Sequence, residues 1–319
     1  MVESLFTERR FNLMTSRIQA CCRFTFILLV MFAGPTFSAN SGTLSIGTIS
    51  SEPVGDIKTF TPFANYLAEE LIDDGVDGIK VVIAPDINQM VAMLKQKEID
   101  LFIDSSITAS IVNKLSGSEF MLRRWKKGRA KYRSVVFVAE NSDIQQINDL
   151  QGKIIAFEEP FSTSGYVLPA LAILQSQNVL HQLDRLSSAP IADEIGFVMA
   201  YDSETQIVWL ERDLVAAAAM SEDDYLEYAQ SAMIPMRVLH TTSYVPYHVV
   251  VHRAGLDPIL IKRIKQVLKT AHDDRKGADV LKHFERTTKF DEIPDDLLQE
   301  IKRFDPYLGD VPIGGEIGQ

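Results

Sequence analysis

The chain has very little cysteine, and both of its cysteines, Cys21 and Cys22, lie near the N-terminus. From residue 23 onward it can form no disulfide and offers no sulfur ligand for a metal. A chain without such covalent links must be held together by an ordinary apolar core. With 319 residues, 46% of them hydrophobic, it is long enough for one large domain or two ordinary ones.

Long hydrophobic runs are also lacking. The most apolar stretch, 24–33, is too short to span a bilayer. Basic residues precede it, and small residues that end at Ala39 follow it. This order predicts a secretory signal peptide over residues 1–39, cleaved near Ala39, so we expect an exported protein whose mature form has no cysteine.

Positive charge is scarce, because 32 Lys and Arg face 43 Asp and Glu, a net charge of −11. Residues 1–39 hold four Arg and two acidic residues, a net charge of +2, so their removal would leave −13. Such an acidic protein is a poor partner for nucleic acid or an anionic membrane, and we expect it to bind neither. Seven basic residues cluster in 123–133, which we interpret as a solvated edge.

What the chain does contain is a regular alternation of strands and helices. Apolar or alternating runs predict strands at 44–49, 79–84 and 100–103. Between them, one helix is expected to start at Pro62 and another after its cap, Asp86. This order predicts a doubly wound parallel α/β sheet, in which ligands bind beyond the carboxyl ends of the strands.

Two further strands are predicted to be unusually long. The run 132–138 ends in consecutive apolar residues, and the run 244–252 has an alternating pattern. Each is long enough to cross from one domain to another.

One stretch adds three consecutive hydroxyl residues, Ser162, Thr163 and Ser164, to this alternation. An apolar strand, 153–157, ends before it, and a helix-compatible segment, 167–174, follows it. The start of a helix has unpaired N–H groups and a partial positive charge, and hydroxyl groups can donate further hydrogen bonds to the same anion. The stretch therefore predicts an anion site. The alternative is that Ser162 or Thr163 is only a helix cap.

Catalytic and metal-binding patterns are missing from the sequence. The hydroxyl residues lack the G-x-S-x-G pattern of a hydrolase nucleophile. His248 and His252 lie on an alternating strand pattern, about 13 Å apart at roughly 3.3 Å per residue, which is too far to share a zinc ion. We therefore expect no enzyme activity, no metal and no cofactor.

Over residues 42–305 the chain resembles the periplasmic solute-binding proteins of phosphonate, phosphite and phosphate ABC transporters. The resemblance is carried by IGTISSE (46–52), TPF (61–63), APD (84–86), YRSV (132–135), DLQGK (149–153) and STSGYVLP (162–169). It implies a type II periplasmic binding protein fold, in which two doubly wound α/β lobes are joined by two crossing strands. The first lobe would then comprise 40–135 and, with the C-terminal helices, 248–319, and the second lobe would comprise 136–247.

The resemblance also implies a ligand site. Ser162, Thr163 and Ser164 would bind the oxygens of an oxyanion, and Tyr132 would donate its phenol from the hinge. Five further residues would line the remainder of the site: Ser51, Glu52, Ser105, Tyr201 and Tyr247.

Three departures from the family concern the other end of the ligand. No histidine occurs near Tyr201, where phosphonate binders usually carry one. Tyr247 stands at the place of an acidic residue, and Ile87 stands where aminophosphonate binders have a tyrosine. We infer an oxyanion clamp free of charged groups and a lost amine-recognising end. Phosphate, phosphite or a simple phosphonate should therefore fit better than 2-aminoethylphosphonate.

Together these features predict a monomeric periplasmic protein that captures a small oxyanion and presents it to an inner-membrane ABC permease. The alternative that the sequence leaves open is a ligand-sensing protein of the same fold, which signals to a membrane kinase or cyclase.

Overall fold

The structure is a computed structural model that describes residues 42–306. The signal peptide predicted over 1–39 lies outside this part of the chain, as do residues 307–319. The described residues form two six-stranded sheets, flanked by helices, and a two-stranded ribbon. None of the helices in 42–306 has both the length and the apolar character needed to cross a membrane.

The strands, in chain order, are β1 Gly42–Ile49, β2 Val76–Ala84, β3 Leu101–Ser105, β4 Glu119–Lys126, β5 Lys131–Tyr132, β6 Ser134–Ala139, β7 Ile154–Phe157, β8 Leu180–Gln182, β9 Ile195–Met199, β10 Ala217–Ser221, β11 Met236–Thr241, β12 Val245–Pro246, β13 His248–His252 and β14 Thr287–Asp291. The helices are α1 Pro53–Glu70, α2 Ile87–Lys95, α3 Ser106–Ser116, α4 Leu168–Gln175, α5 Ser203–Glu211, α6 Glu222–Tyr228, α7 Pro258–Thr270, α8 Arg275–His283 and α9 Asp295–Arg303. Short 3₁₀ turns cover Ile72–Asp74 and Ile147–Leu150, and a π-helical turn, Thr163–Val167, leads into α4.

Both sheets are mixed, which corrects the expectation of parallel sheets. In the first sheet, ordered β14-β4-β13-β3-β1-β2, strand β1 is parallel to β2 and β3, whereas β13 is antiparallel to β3 and β4. In the second, ordered β11-β6-β10-β7-β9-β8, strands β7 to β10 are parallel and β6 is antiparallel to β10. His248 pairs with Ser105, and Ser134 pairs with Ser221. Strands β13 and β6 therefore each enter a sheet at the carboxyl end of its parallel strands. For this reason each of them runs antiparallel to those strands.

The chain passes between the two sheets through the ribbon of β5 and β12. The long strands predicted at 132–138 and 244–252 are therefore each broken, at Arg133 and Tyr247, where the backbone leaves the ribbon and enters a sheet. The first sheet takes its strands from both ends of the described chain, and the second takes its strands from the middle. The lobe boundaries after residues 135 and 247 themselves stay a prediction.

Helix α1 begins at Pro53, well before the predicted start at Pro62, which lies inside the helix. Proline at the first helical position loses no intrahelical hydrogen bond. The interior proline loses one such bond, and the hydroxyl of Thr61 beside it donates to the carbonyl of Ile57 at 2.6 Å. The predicted cap of α2 is confirmed, because Asp86 accepts a hydrogen bond from a backbone N–H of that helix.

Most of the basic cluster 123–133 is not a solvated edge, which corrects that interpretation except at the exposed Arg129 and Lys131. Arg123 and Arg124 lie on β4 and are buried. Arg123 makes two hydrogen bonds of 2.8 Å to Asp291, and Arg124 pairs with Glu285. Buried charges persist only with such partners. Later members of the cluster reach the acidic first turn of α6 instead, through the pairs Lys127–Asp224 and Arg129–Asp223.

Candidate functional site

A polar cavity of about 340 Å³ lies between the two sheets. It is lined from the first sheet by the ends of β1 and β3, and from the second by residues at the ends of β7 and β10. These are carboxyl ends of parallel strands, where ligands bind in open α/β sheets. The lining residues that matter below are Asp56, Asp104, Ser105, Lys126, Tyr132, Glu158, Glu159, Ser162, Thr163, Ser164, Asp224, Tyr247, His248 and Glu285.

A larger groove of about 880 Å³ runs along α7. His252, one of its lining residues, pairs with Leu101 at the amino end of β3. Two of its lysines, Lys265 and Lys269, are already paired with Glu292. The groove thus lies at the opposite end of the sheet from the hydroxyl residues, and we take the cavity between the sheets as the candidate site.

Thr163 joins the two sides of the cavity. Its hydroxyl donates to the hydroxyl of Ser105 at 2.9 Å, and it accepts from the N–H of Thr108 at 3.2 Å. Both partners belong to the β3–α3 corner of the first sheet, whereas Thr163 follows β7 of the second. The predicted clamp therefore has a first-sheet half and a second-sheet half that are already in contact.

Tyr132 completes this group of hydroxyls from the ribbon. Its phenol hydrogen-bonds with the side chains of Thr163 and Ser164, and burial raises its pKa well above the ordinary value of 10, so it remains a proton donor at neutral pH. Its ring stacks on Tyr247 with the centroids 4.2 Å apart. Both tyrosines are only 5% exposed, so the donor is held in one position.

The π-helical turn supplies backbone donors. Ser162 is its cap, because its hydroxyl accepts a hydrogen bond from the N–H of Gly165 at 3.0 Å. Within residues 42–306, the N–H groups of Thr163 and Ser164 have no hydrogen-bond acceptor. The cap interpretation thus holds for Ser162, and the two residues after it present free N–H groups at the start of a helical segment, which suits an anion.

Six of the nine predicted site residues lie on the cavity: Ser105, Tyr132, Ser162, Thr163, Ser164 and Tyr247. Three do not. Ser51 and Glu52 are exposed at the start of α1, although the Ser51 hydroxyl donates across to the carboxylate of Glu159. Tyr201 is 60% exposed and has a positive φ of 66°. The structure therefore does not bring these three side chains into the cavity lining.

Carboxyl groups are the feature that sequence reasoning missed. Six of them line the cavity, here called the carboxylate wall: Asp56, Asp104, Glu158, Glu159, Asp224 and Glu285. The only other ionisable groups besides the tyrosines on the described lining are Lys126 and His248. The inferred clamp itself consists of hydroxyl and N–H groups, but the cavity around it carries these ionisable groups. The positions of Glu158, Glu159 and Asp104 at strand ends were a signal in the sequence that pointed to them.

Burial raises the pKa of four of these carboxyl groups, Asp56 among them. It raises the pKa of Asp104 to about 6, although N–H groups of Ile49 and Ser105 donate to that carboxylate. Burial also raises the pKa of Glu159 to about 7, reinforced by the charges of Glu158 and Asp104. The pKa of Glu158 is raised for the same reason. The cavity resists carrying all of its negative charge at once.

Glu285 behaves in the opposite way. Burial alone would raise its pKa, but the guanidinium of Arg124 and the ammonium of Lys126, 3.0 Å away, hold it well below its usual range. Glu285 and Arg286 both have positive φ angles, 48° and 55°, a costly backbone that brings this carboxylate to the cavity. Burial and the nearby Arg124 hold the pKa of His248 well below 6.5, so it is neutral.

No metal site is apparent at the cavity. Among the residues that the structure describes, no group of three or more His, Cys, Asp or Glu side chains has the arrangement to hold a metal ion. The arrangement suits hydrogen bonding to a small polar ligand.

Comparison with known proteins identifies the family. Residues 46–298 match the model of the family described as "ABC transporter, phosphonate, periplasmic substrate-binding protein". The match covers well over half of the chain, and the protein belongs to this family of periplasmic substrate-binding components.

Individual relatives are distant. The phosphonates-binding periplasmic protein of Escherichia coli K12 is 26% identical over 176 residues, which are 52% of this chain and 50% of that protein. The match thus spans about half the length of that relative.

Solved structures support the fold. XAC2383 from Xanthomonas citri, solved with chloride and with ATP, is 24% identical and has a TM-score of 0.79 in the chloride form, covering 84% of this chain and 98% of its own. PhnD1 from Prochlorococcus marinus, solved with methylphosphonate, is 17% identical with a TM-score of 0.61, covering 85% of this chain and 100% of its own. The predicted type II periplasmic binding protein fold is confirmed.

Proposed function

We propose that this protein captures a small oxyanion of the phosphonate type (phosphate, phosphite or a simple phosphonate) in the periplasm and delivers it to an ABC importer. The observation that carries the proposal is the start of the π-helical turn. There, the free N–H groups of Thr163 and Ser164 adjoin hydroxyl groups from both sides of the cavity. Family membership and the methylphosphonate bound to PhnD1 support the same ligand class.

The energetics of such a clamp are adequate. A hydrogen bond to a charged group contributes roughly 1.5–3 kcal/mol. Three to five of them would support dissociation constants from micromolar downward, since 1 μM corresponds to about 8 kcal/mol. A cavity of about 340 Å³ is at the small end of ligand sites, which matches a small ligand.

The carboxylate wall refines which ligand is favoured. Its oxygens repel a fully ionised phosphate but accept hydrogen bonds from a P–OH or N–H group. A singly charged oxyanion, or one with a donor at its far end, therefore suits the cavity better than a bare dianion. This weakens the exclusion of 2-aminoethylphosphonate drawn from Ile87 and Tyr247.

A thermal-shift panel of phosphate, phosphite, methylphosphonate and 2-aminoethylphosphonate tests the proposal. A ligand at 100 times its dissociation constant stabilises the folded state by about 2.7 kcal/mol. At about 2–4 °C per kcal/mol, the melting temperature should rise by about 5–10 °C. If none of the four raises it, the proposed ligand class is wrong. If 2-aminoethylphosphonate binds best, the exclusion based on the sequence is wrong.

Delivery to a permease and a monomeric state are part of the same proposal. Light scattering of the purified protein should give the mass of one chain. Uptake of the bound oxyanion should be lost when the gene is deleted and restored when it is returned. Uptake that does not depend on the gene would contradict the transport role and favour ligand sensing.

A further inference from the structure

Two of the serine hydroxyls predicted for the site, one on the cavity and one beside it, donate to carboxylates of the protein itself. Ser162 donates to Glu158 at 2.7 Å, and Ser51 donates to Glu159. A serine hydroxyl has a single proton to donate. While it is engaged with a carboxylate, that proton is not available to an oxyanion in the cavity.

Asp104 repeats the pattern at the first sheet. Its two carboxylate oxygens lie 3.1 Å from the hydroxyls of Ser105 and Thr48. They also accept hydrogen bonds from the backbone N–H groups of Ile49 and Ser105. Ser105 is also the partner of Thr163. Carboxylates thus engage the hydroxyls of the clamp from both sides of the cavity, at positions that suit a ligand's oxygens.

Little positive charge faces these carboxylates. Glu159 has Glu158, Asp104 and Glu52 as charged neighbours, and Glu158 has Asp224 and Lys126. Across the cavity, Asp56 adds a further carboxyl group, His248 is neutral, and Lys126 is already paired with Glu285. An arriving oxyanion would add negative charge to a site that already repels it.

Protonation of the carboxyl groups removes both obstacles. A protonated carboxyl group no longer competes for the serine proton and can itself donate to the ligand. The pKa of Glu159, raised to about 7 by burial, and that of Asp104, raised to about 6, place this change near neutral pH. Nearby ligand charge would raise both values further.

We propose that Glu159, together with Glu158 and Asp104, couples capture of the oxyanion to uptake of a proton by the protein. The inference rests on the proposed function and adds to it a pH-dependent affinity. At pH 5 Glu159 and Asp104 already largely hold their protons, so binding takes up little. At pH 8 they are ionised, and each proton required weakens binding about tenfold per pH unit.

Calorimetry of methylphosphonate binding at pH 8, in buffers of different ionisation enthalpy, measures the protons taken up. After subtraction of the ligand's own titration, we expect uptake of about one proton per ligand bound at pH 8 and close to none at pH 5. Binding without such uptake at pH 8 overturns the inference and leaves the proposed function standing. No binding at any pH from 5 to 8 overturns both.

The variant Glu159→Gln makes the second test, because it removes the charge and keeps the shape. It should bind methylphosphonate about tenfold more tightly than the natural protein at pH 8, about equally at pH 5, and take up fewer protons. A purely structural role for Glu159 predicts weaker binding at both values. Glu140→Gln is the matched control, since this exposed glutamate follows the far end of β6 and should change nothing. If Glu159→Gln does not fold, the measurement of proton uptake by the natural protein still tests the inference.

Discussion

Thr163 joins the two sides of the candidate site. It is 1% exposed, contacts Ser105 and Thr108 of the first sheet, and lies in the turn of the second. A single side chain thus links the two sides of the cavity in which we propose that the ligand binds.

Replacing Thr163 with valine removes the hydroxyl and preserves the shape. We expect methylphosphonate binding to weaken by about 1–3 kcal/mol, the usual loss for a hydrogen bond to a charged group. Calorimetry at pH 6 measures this. Thr59→Val is the control, because that exposed hydroxyl bonds only to the carbonyl of Gly55 within α1. Equal affinities for both variants would contradict the role given to Thr163.

The ligand-free protein should show the strain of ionising Glu159. Its folded pKa of about 7 lies above the ordinary value of 4.5, so the unfavourable contribution is small below pH 4.5 and complete above about pH 7. After allowance for its partial exposure, we expect Glu159→Gln to stabilise the protein by about 1 kcal/mol at pH 8 and by less at pH 4.5. Thermal unfolding at the two pH values checks this, and a gain that is the same at both would refute it.

The site could be predicted from sequence where its residues are consecutive. Ser162, Thr163 and Ser164 stand together between a strand and a helix, so their common position followed from the chain order. Glu285 could not be predicted, because it arrives from the loop between α8 and β14 and is held by Arg124 from β4. No local pattern records such a long-range pairing.

At the scale of elements, the π-helical turn depends on one glycine. A Cβ atom on Gly165 would lie 2.4 Å from the Cβ and Oε2 of Glu158 and 2.9 Å from the hydroxyl of Ser162. Only glycine lets the turn approach the Glu158 side chain this closely. The close approach keeps the hydroxyl of the cap residue Ser162 next to the carboxylate of Glu158.

Gly165→Ala should therefore destabilise the protein by about 1–3 kcal/mol through overpacking and weaken ligand binding as the turn shifts. Urea unfolding gives the first quantity and calorimetry gives the second. Gly55→Ala provides the comparison, because nothing lies within 4 Å of the added atom in α1. We expect that variant to be neutral or slightly more stable. Similar losses for both glycines would argue against the close approach.

The stability of the protein is also expected to depend on Arg124, a buried residue of strand β4. Its replacement by methionine leaves the half-buried Glu285 with Lys126 as its remaining cationic partner, so we expect a loss of about 3 kcal/mol. The double variant with Glu285→Gln should recover part of this loss. Arg303→Met breaks an exposed pair with Glu300 and should change stability by about 0.5 kcal/mol or less. Denaturant unfolding separates these outcomes. If Arg124→Met leaves the free energy of unfolding unchanged, the stabilising role of Arg124 is contradicted.

Element types were predictable from periodicity and caps, as Asp86 and α2 illustrate. The start of α1 was misjudged because Pro62 is a strong signal for a helix start, yet its helix tolerates it. The long crossing strands were broken by the geometry of the ribbon, which depends on pairing between segments far apart in sequence. Such tertiary effects are absent from a local pattern.

For the whole molecule, two mixed sheets place the carboxyl ends of their parallel strands on either side of one cavity. Strands β6 and β13 enter at those same ends, so the ribbon that carries Tyr132 lies beside the cavity. The fold thereby gathers hydrogen-bond donors from three places around one cavity. The central claim is that an oxyanion binds there with its oxygens at the π-helical turn.

The crystal structure of the complex with methylphosphonate tests this claim most directly. We predict phosphonate oxygens within about 3 Å of the N–H groups of Thr163 and Ser164, with Tyr132 and Ser105 as further donors. The carboxyl group of Glu159 should contact the ligand or have left Ser51. A ligand bound outside the cavity, or one whose phosphonate faces Glu285 while both N–H groups stay unpaired, would contradict the account.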